Sequence, residues 1–197
     1  MTVGAIILAA GLSRRMGADK LAADLNGKPL LAHAIDAVEA AGLPMILAIP
    51  PRDGEGGHPK DGGEGSPPAR EGMEVPDHAL GMGHSIAAAI RAVPADWSAA
   101  LICLGDMPFV APATLRALAA AAREDRVIAP VHEGQRGNPL AWGRAFFAQL
   151  AGLTGDTGGR ALLAGVGERL ILLPVDDPGV SIDVDTPGAL AAARARV

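Results

Sequence analysis

The stretch Val3-Gly4-Ala5-Ile6-Ile7-Leu8-Ala9-Ala10-Gly11-Leu12-Ser13-Arg14-Arg15-Met16-Gly17-Ala18-Asp19-Lys20 decides the fold. From Val3 to Ala10 the apolar residues run without period-two alternation, the pattern of a strand covered on both faces by helices in a parallel sheet. The run then empties into a loop of glycines and cations. In open α/β sheets ligands collect at the carboxyl ends of strands, so this loop is expected at a ligand-binding edge. Ala9, Ala10 and Gly11 are small enough to let a flat base or a phosphate approach the main chain, while Arg14, Arg15 and Lys20 supply charge. Arginine offers forked donors and lysine a point charge, both suited to phosphate oxygens. The segment reads as a triphosphate grip, with a solvated basic turn as the plainer alternative. It is not a P-loop, because Leu21 follows the lysine where Ser or Thr is required, and G-x-G-x-x-G is absent as well.

Outward from this strand, helical and strand patterns alternate. A helix is expected over Leu30 to Ala41, with Leu30, Leu31, Ala34, Ile35 and Val38 on one stripe, and a buried strand over Met45 to Ile49. Residues 50–72 are rich in Gly, Pro and charge, which predicts a surface excursion in place of a crossover helix. Further strands are expected at Met73 to Val75, Ala99 to Leu104, Arg126 to Pro130, Leu170 to Val175 and Val180 to Val184. Helices are expected at Ser85 to Val93, Pro112 to Arg123, Gly143 to Ala151 and Gly188 to Arg196, with a Gly-rich turn over Gly134 to Pro139. This rhythm implies one α/β domain over residues 1–197, built on a doubly wound, mostly parallel sheet.

Composition narrows the function. With 197 residues, 49% of them hydrophobic, the chain can bury a full core. A net charge of -5 argues against generic nucleic-acid binding, so any anion grip must be local. The lone Cys103 excludes an internal disulfide framework and a cysteine-based zinc site, and its apolar neighbours suit a buried small hydrophobe. No basic segment precedes the first apolar run, which is too short for a signal peptide, and no run reaches the ~20 residues of a membrane span. The expected setting is cytoplasmic.

Two further features carry chemistry. Asp106, in Gly105-Asp106-Met107-Pro108, follows a buried strand and is expected at the same edge as the Gly11 loop. Magnesium takes one or two carboxylates together with phosphate oxygens, which suits an aspartate facing a triphosphate loop; local turn capping is the competing role. In Ser181-Ile182-Asp183-Val184-Asp185-Thr186-Pro187 the two carboxylates fall at alternate positions, on one face if the segment is extended. Helix capping by Asp185 or Thr186 ahead of Pro187 competes there.

Taken in order, Leu8-Ala9-Ala10-Gly11-x-Ser13-x-Arg15-Met16-Gly17-x-x-Lys20, Gly81-Met82-Gly83-His84-Ser85-Ile86, Gly105-Asp106-Met107-Pro108, Arg136-Gly137-Asn138-Pro139, Gly155-Asp156-Thr157-Gly158-Gly159-Arg160 and Asp183-Val184-Asp185-Thr186-Pro187 resemble the molybdenum cofactor cytidylyltransferases. These belong to the wider nucleotidyltransferases that include the guanylyltransferases of the same cofactor. The resemblance spans nearly the whole chain. It implies a Rossmann-like three-layer α/β/α sandwich and transfer of CMP from CTP to molybdopterin-type cofactor, with release of pyrophosphate. By the same resemblance Arg15 and Lys20, with Arg14 beside them, bind the β- and γ-phosphates, and Asp106 carries Mg²⁺ with Asp183 or Asp185. Leu8, Ala9, Ala10, Gly11, Gly81 and Ser85 frame the nucleotide; Gly137, Asn138, Asp156 and Arg160 line the pterin side. The implied partners are these two small molecules and a recipient molybdoenzyme, without nucleic acid or membrane.

Ala10 leans to CTP, since guanylyl-transferring relatives show Leu-Ala-Gly-Gly at the loop. Two features depart from the family pattern: Val75-Pro76-Asp77-His78 stands where relatives carry Asn-Pro-Asp/Glu-Trp, and His84 stands where a small residue is usual. Guanylyl transfer, nucleotidyl transfer to another small phosphorylated acceptor, and a non-catalytic cofactor chaperone stay open as alternatives.

Overall fold

The opening apolar run forms strand β1 (Thr2–Leu8), and both of its faces are buried. Ile6 and Leu8 point into one core cluster with Ile86, Trp142 and Phe146; Ala5 and Ile7 point into another with Val38, Leu101, Leu115 and Leu118. Two buried faces are the physical reason for the missing alternation. The computed structural model describes residues 1–9, 20–51, 72–156 and 158–196. Ala10, Gly11, Arg14, Arg15 and nearly all of the expected excursion lie outside the described residues.

After β1 the described chain forms a hairpin of β2 (Asp24–Leu25) and β3 (Lys28–Pro29), then α1 (Leu30–Ala40), β4 (Met45–Ile49), β5 (Met73–Glu74) and α2 (Met82–Arg91). Next come β6 (Trp97–Leu104), α3 (Pro112–Ala121), β7 (Val127–His132), β8 (Gln135–Arg136) and β9 (Leu140–Gly143). The chain continues through α4 (Phe147–Leu150), α5 (Arg160–Val166), β10 (Leu170–Pro174) and α6 (Pro187–Arg194). The sheet order is β10-β7-β9-β6-β1-β4-β5, with β8 added to β7. β5, β4, β1 and β6 pair in parallel, as do β10 and β7, whereas β9 lies antiparallel between β6 and β7. The α1 and α3 residues Val38, Leu115 and Leu118 cover one face, and residues of α2, α4 and α5 cover the other. The expected α/β sandwich with a mostly parallel sheet is therefore present. No helix among the described residues is long and apolar enough to cross a membrane.

Three expectations need correction. Leu140–Gly143, between the expected turn and the helix expected from Gly143 to Ala151, form strand β9, and only the single 3-10 turn Arg144–Phe146 and short α4 follow in place of that helix. A four-residue run buried throughout shows no period, and Gly143 lets it pass against the carbonyls of Arg123 and Glu124, where a Cβ would collide. Gln135–Arg136 inside the Gly-rich turn pair with β7. Residues 180–184 are not a strand: Asp177 caps a 3-10 turn at Pro178–Ser181, and the next residues are irregular, so Asp183 and Asp185 do not share a strand face. The β2–β3 hairpin turns at Asn26-Gly27, both with positive φ, the signature of a tight two-residue connection.

A third, smaller cluster ties the late chain to this hairpin. Leu25, Leu30, Val184 and Leu190 are buried together, with Leu21 packed against them. Replacing Trp142, 1% exposed, by Ala is expected to cost about 3–5 kcal/mol. Leu172→Ser on edge strand β10, at a position 55% exposed, should change stability by no more than about 0.5 kcal/mol. Urea unfolding of both variants checks the contrast.

Candidate functional site

Parallel register sets Leu8 beside Leu104 and so brings the carboxyl ends of β1 and β6 together. The Gly105 N–H donates to the Leu8 carbonyl at 3.1 Å, continuing the pairing one residue past the strands. A Cβ at Gly105 would lie 2.9 Å from Leu31 Cδ1 and 3.1 Å from the Leu8 carbonyl oxygen, so the turn passes close to both α1 and β1. Asp106 is then delivered to the sheet edge. Lys20 begins a single 3-10 turn, Lys20–Ala22, whose Leu21 packs on the third cluster. Val184 is fully buried in that cluster and donates its N–H to the Asp106 carbonyl at 3.0 Å. Asp185 follows directly.

These three anchors make one ionic cluster. Lys20 Nζ donates to Asp106 Oδ2 at 2.7 Å and also to Asp185 Oδ1. Lys20 is 12% exposed, Asp106 21% and Asp185 43%, so the pair with Asp106 is the better shielded. Burial works against the Lys20 ammonium, but hydrogen bonds and charge attraction from Asp106 and Asp185 outweigh it and hold its pKa above 10.5. Asp183 is pushed upward by hydrogen bonding with Asp185, by burial, and by the charges of Asp185 and Asp106. Asp106 Oδ1 is shielded from solvent with no hydrogen-bond partner among the described residues. Such an orphaned carboxylate oxygen fits a hard divalent cation. Among the described residues no three His, Cys, Asp or Glu side chains form a cluster that could hold a metal ion.

The other expected residues sit in two places. Gly81, with φ of 121°, precedes α2, and Ser85 within α2 is fully buried. A Cβ on Gly81 would lie 2.5 Å from Asp156 Oδ1 and from the Gly155 carbonyl, and the Gly83 N–H donates to that carbonyl at 2.8 Å. Gly81 and Asp156, expected on opposite sides of a site, therefore touch. His84 belongs to this junction: its Nδ1 accepts from the Gly155 N–H at 3.3 Å, which leaves any hydrogen of a neutral ring on Nε2. Gly137 and Asn138 pack on the turn at 178–181, where the Asn138 N–H donates to the Val180 carbonyl at 2.8 Å. Arg160 is exposed at the start of α5. Cys103 is buried, and desolvation pushes its thiol to about 12, so it is inert.

Sequence reasoning missed Asp177. It is 6% exposed and accepts from the Ala111 N–H at 2.9 Å, the Thr114 hydroxyl at 2.6 Å and the Gly179 N–H at 2.9 Å. The available signal was Asp177-Pro178-Gly179, a turn in which an aspartate bonds the backbone two residues on.

Residues 5–171 match the model of the MobA-like NTP transferase domain, and the chain belongs to that family. It is 32% identical over 146 residues to the bifunctional protein GlmU of Syntrophomonas wolfei, covering 73% of this chain and 31% of the relative. It thus spans about a third of the length of the curated relatives it matches. The crystal structure of Rv0371c from Mycobacterium tuberculosis H37Rv superposes with a TM-score of 0.79 and 26% identity over the whole of both chains. The manganese complex of Rv0371c gives a TM-score of 0.78 at 24% identity, again over the whole of both. Molybdopterin-guanine dinucleotide biosynthesis protein A from Archaeoglobus fulgidus shares the fold, with a TM-score of 0.63 and 19% identity over 100% of this chain and 98% of the other.

The Lys20 and Asp183 shifts both lower stability as pH rises, in different pH windows. Lys20 is raised above its unfolded value, so its stabilising contribution is complete below 10.5 and is lost as pH climbs through the folded pKa. Asp183 is raised above 3.8, so its folded form holds a proton more tightly; stability falls as pH rises from 3.8 through the raised value. Asp183→Asn is therefore expected to raise the midpoint of urea unfolding at about pH 7 and to lose most of that gain at about pH 3.5.

Proposed function

We propose that this member of the MobA-like NTP transferase family transfers CMP from CTP to the terminal phosphate of molybdopterin-type molybdenum cofactor, forming the cytosine dinucleotide and pyrophosphate. The observation that carries the reading is the pairing of Lys20 with Asp106 and Asp185 at the carboxyl edge of β1 and β6. A phosphate-gripping cation and two acidic groups at one sheet edge suit nucleotidyl transfer better than simple binding.

The acceptor phosphate is already anionic, so its oxygen attacks the α-phosphorus without needing a strong base. The new O–P bond forms as the bond to the β-phosphate oxygen breaks, and the electron pair leaves with pyrophosphate. The protein's task is alignment and charge neutralisation. Arg14, Arg15 and Lys20 bind the β- and γ-phosphates and favour pyrophosphate departure. Asp106 and Asp185, with Asp183 adjoining, hold Mg²⁺, which when bound neutralises charge on the phosphate oxygens. The orphaned Asp106 Oδ1 supports this, as does the manganese bound by a structural neighbour. Lys20 has a flexible stem, so its ammonium would be able to turn toward phosphate, and Asp106 and Asp185 would be the residues to hold the cation. Leu8, Ala9, Ala10, Gly11, Gly81 and Ser85 form the nucleotide side; Gly137, Asn138, Asp156 and Arg160 form the acceptor side. We take the setting to be cytoplasmic and a molybdoenzyme to receive the product.

The small Ala10 before Gly11 supports CTP. Likeness to a molybdopterin-guanine dinucleotide protein favours GTP as the second reading. Pyrophosphate release with molybdenum cofactor and either nucleotide decides: turnover with CTP should exceed turnover with GTP, and the reverse order overturns the choice. No pyrophosphate above background would mark a carrier of the cofactor and overturn catalysis. Asp106→Ala should cut kcat by about 10²-fold or more, as loss of a strong electrostatic stabiliser does.

A further inference from the structure

The turn at 177–181 touches two other parts of the chain, residues 109–114 and residues 137–138. On one side the Asp177 carboxylate takes the Ala111 N–H and the Thr114 hydroxyl at the start of α3. Gly179 lies so close to the Phe109 carbonyl that a Cβ there would collide with it. Farther along, the Val184 N–H reaches the Asp106 carbonyl at 3.0 Å. Residues 106–111 and 177–184 are thus pinned together near both ends. On the other side Val180 takes the Asn138 N–H, and Gly137 leaves no room for a Cβ beside the same carbonyl.

We propose that Asp177 is a positioning residue, whose clamp on Ala111 and Thr114 sets the separation of Asp106 from Asp185. The proposal rests on the metal-assisted transfer described above. Asp106 leaves the edge five residues before Ala111, and Asp185 leaves it eight residues after Asp177, so the clamp closes one end of both segments. A buried carboxylate is costly unless fully hydrogen-bonded, and Asp177 is satisfied by three donors from two segments only while those segments stay apposed. Losing the Thr114 hydroxyl or the carboxylate leaves the 177–185 segment tied to residues 106–111 by the Val184 bond but not at its Asp177 end, so Asp185 can shift relative to Asp106. Leu8, Ala9 and Lys20 approach the site from other segments and keep their anchors, so nucleotide affinity should move less than turnover.

The test compares Asp177→Ala, Thr114→Val and Thr114→Ser in the full chain. Mn²⁺ affinity in the presence of CTP is read by electron paramagnetic resonance, beside kcat, the KM for CTP and thermal unfolding. Asp177→Ala and Thr114→Val should weaken Mn²⁺ binding and lower kcat by about 10-fold or more, the usual effect of removing a group that orients metal ligands. The KM for CTP should stay within about threefold, and Thr114→Ser, which keeps the hydroxyl, should restore both Mn²⁺ affinity and kcat. Should Asp177→Ala not fold, Thr114→Val decides in the same terms, because the Ala111 and Gly179 bonds to Asp177 persist in it. Folded variants with wild-type Mn²⁺ affinity and kcat overturn the proposal, as does a loss that Thr114→Ser shares. Asp106→Ala separates the two readings. If it retains Mn²⁺ binding and turnover, the metal-assisted function fails; if it loses both while the clamp variants are normal, only the role of Asp177 fails.

Discussion

Everything at the candidate site depends on the parallel pairing of β1 with β6. That register places Leu8 beside Leu104, two residues far apart in the chain, and the Gly105 N–H to Leu8 carbonyl bond extends it to the edge. Parallel strands run the same way, so the carboxyl ends of β1 and β6 lie at one rim of the sheet. The ligand-binding edge of an open α/β sheet is a consequence of this geometry. Lys20 and Asp106 meet there because one follows β1 and the other follows β6.

The late part of the chain completes the edge by another route. Val184 is buried with Leu25 and Leu30, and its N–H bonds the Asp106 carbonyl. An apolar anchor between two aspartates fixes Asp185 against Lys20 while Asp183 stays exposed. The same segment begins at Asp177, whose buried carboxylate joins it to α3. The acidic groups are therefore held by a hydrophobic peg at one end and a hydrogen-bonded clamp at the other. Charge repulsion between Asp183 and Asp185 opposes this arrangement, and the packing of Val184 and Leu190 resists it.

Much of the fold was legible from local pattern. The continuous apolar runs of β1 and β6 announce strands buried on both faces, that of β4 announces a strand that is half-buried except at Ala48, and the stripe of Leu30, Ala34 and Val38 announces α1. β9 was hidden because Leu140–Gly143 is too short to show a period and has Gly at its end. The segment at 180–184 misled because Val180, Ile182 and Val184 alternate like a strand. In the folded chain the backbone groups of that segment bond to Asn138, Gly179 and Asp106, not to a ladder.

The sequence by itself determined the chemistry at hand: the small residues and cations after β1, the aspartate after β6, and the two aspartates before α6. It also determined the α/β class, because hydrophobic period is a local property. Only the tertiary structure decided that Lys20 lies between Asp106 and Asp185, that Gly81 and Asp156 touch, and that Asp177 is buried at the start of α3. These are contacts between distant segments. They follow from strand order, from glycines that allow close approach, and from the burial of Val184, none of which leaves a periodic signal in the chain.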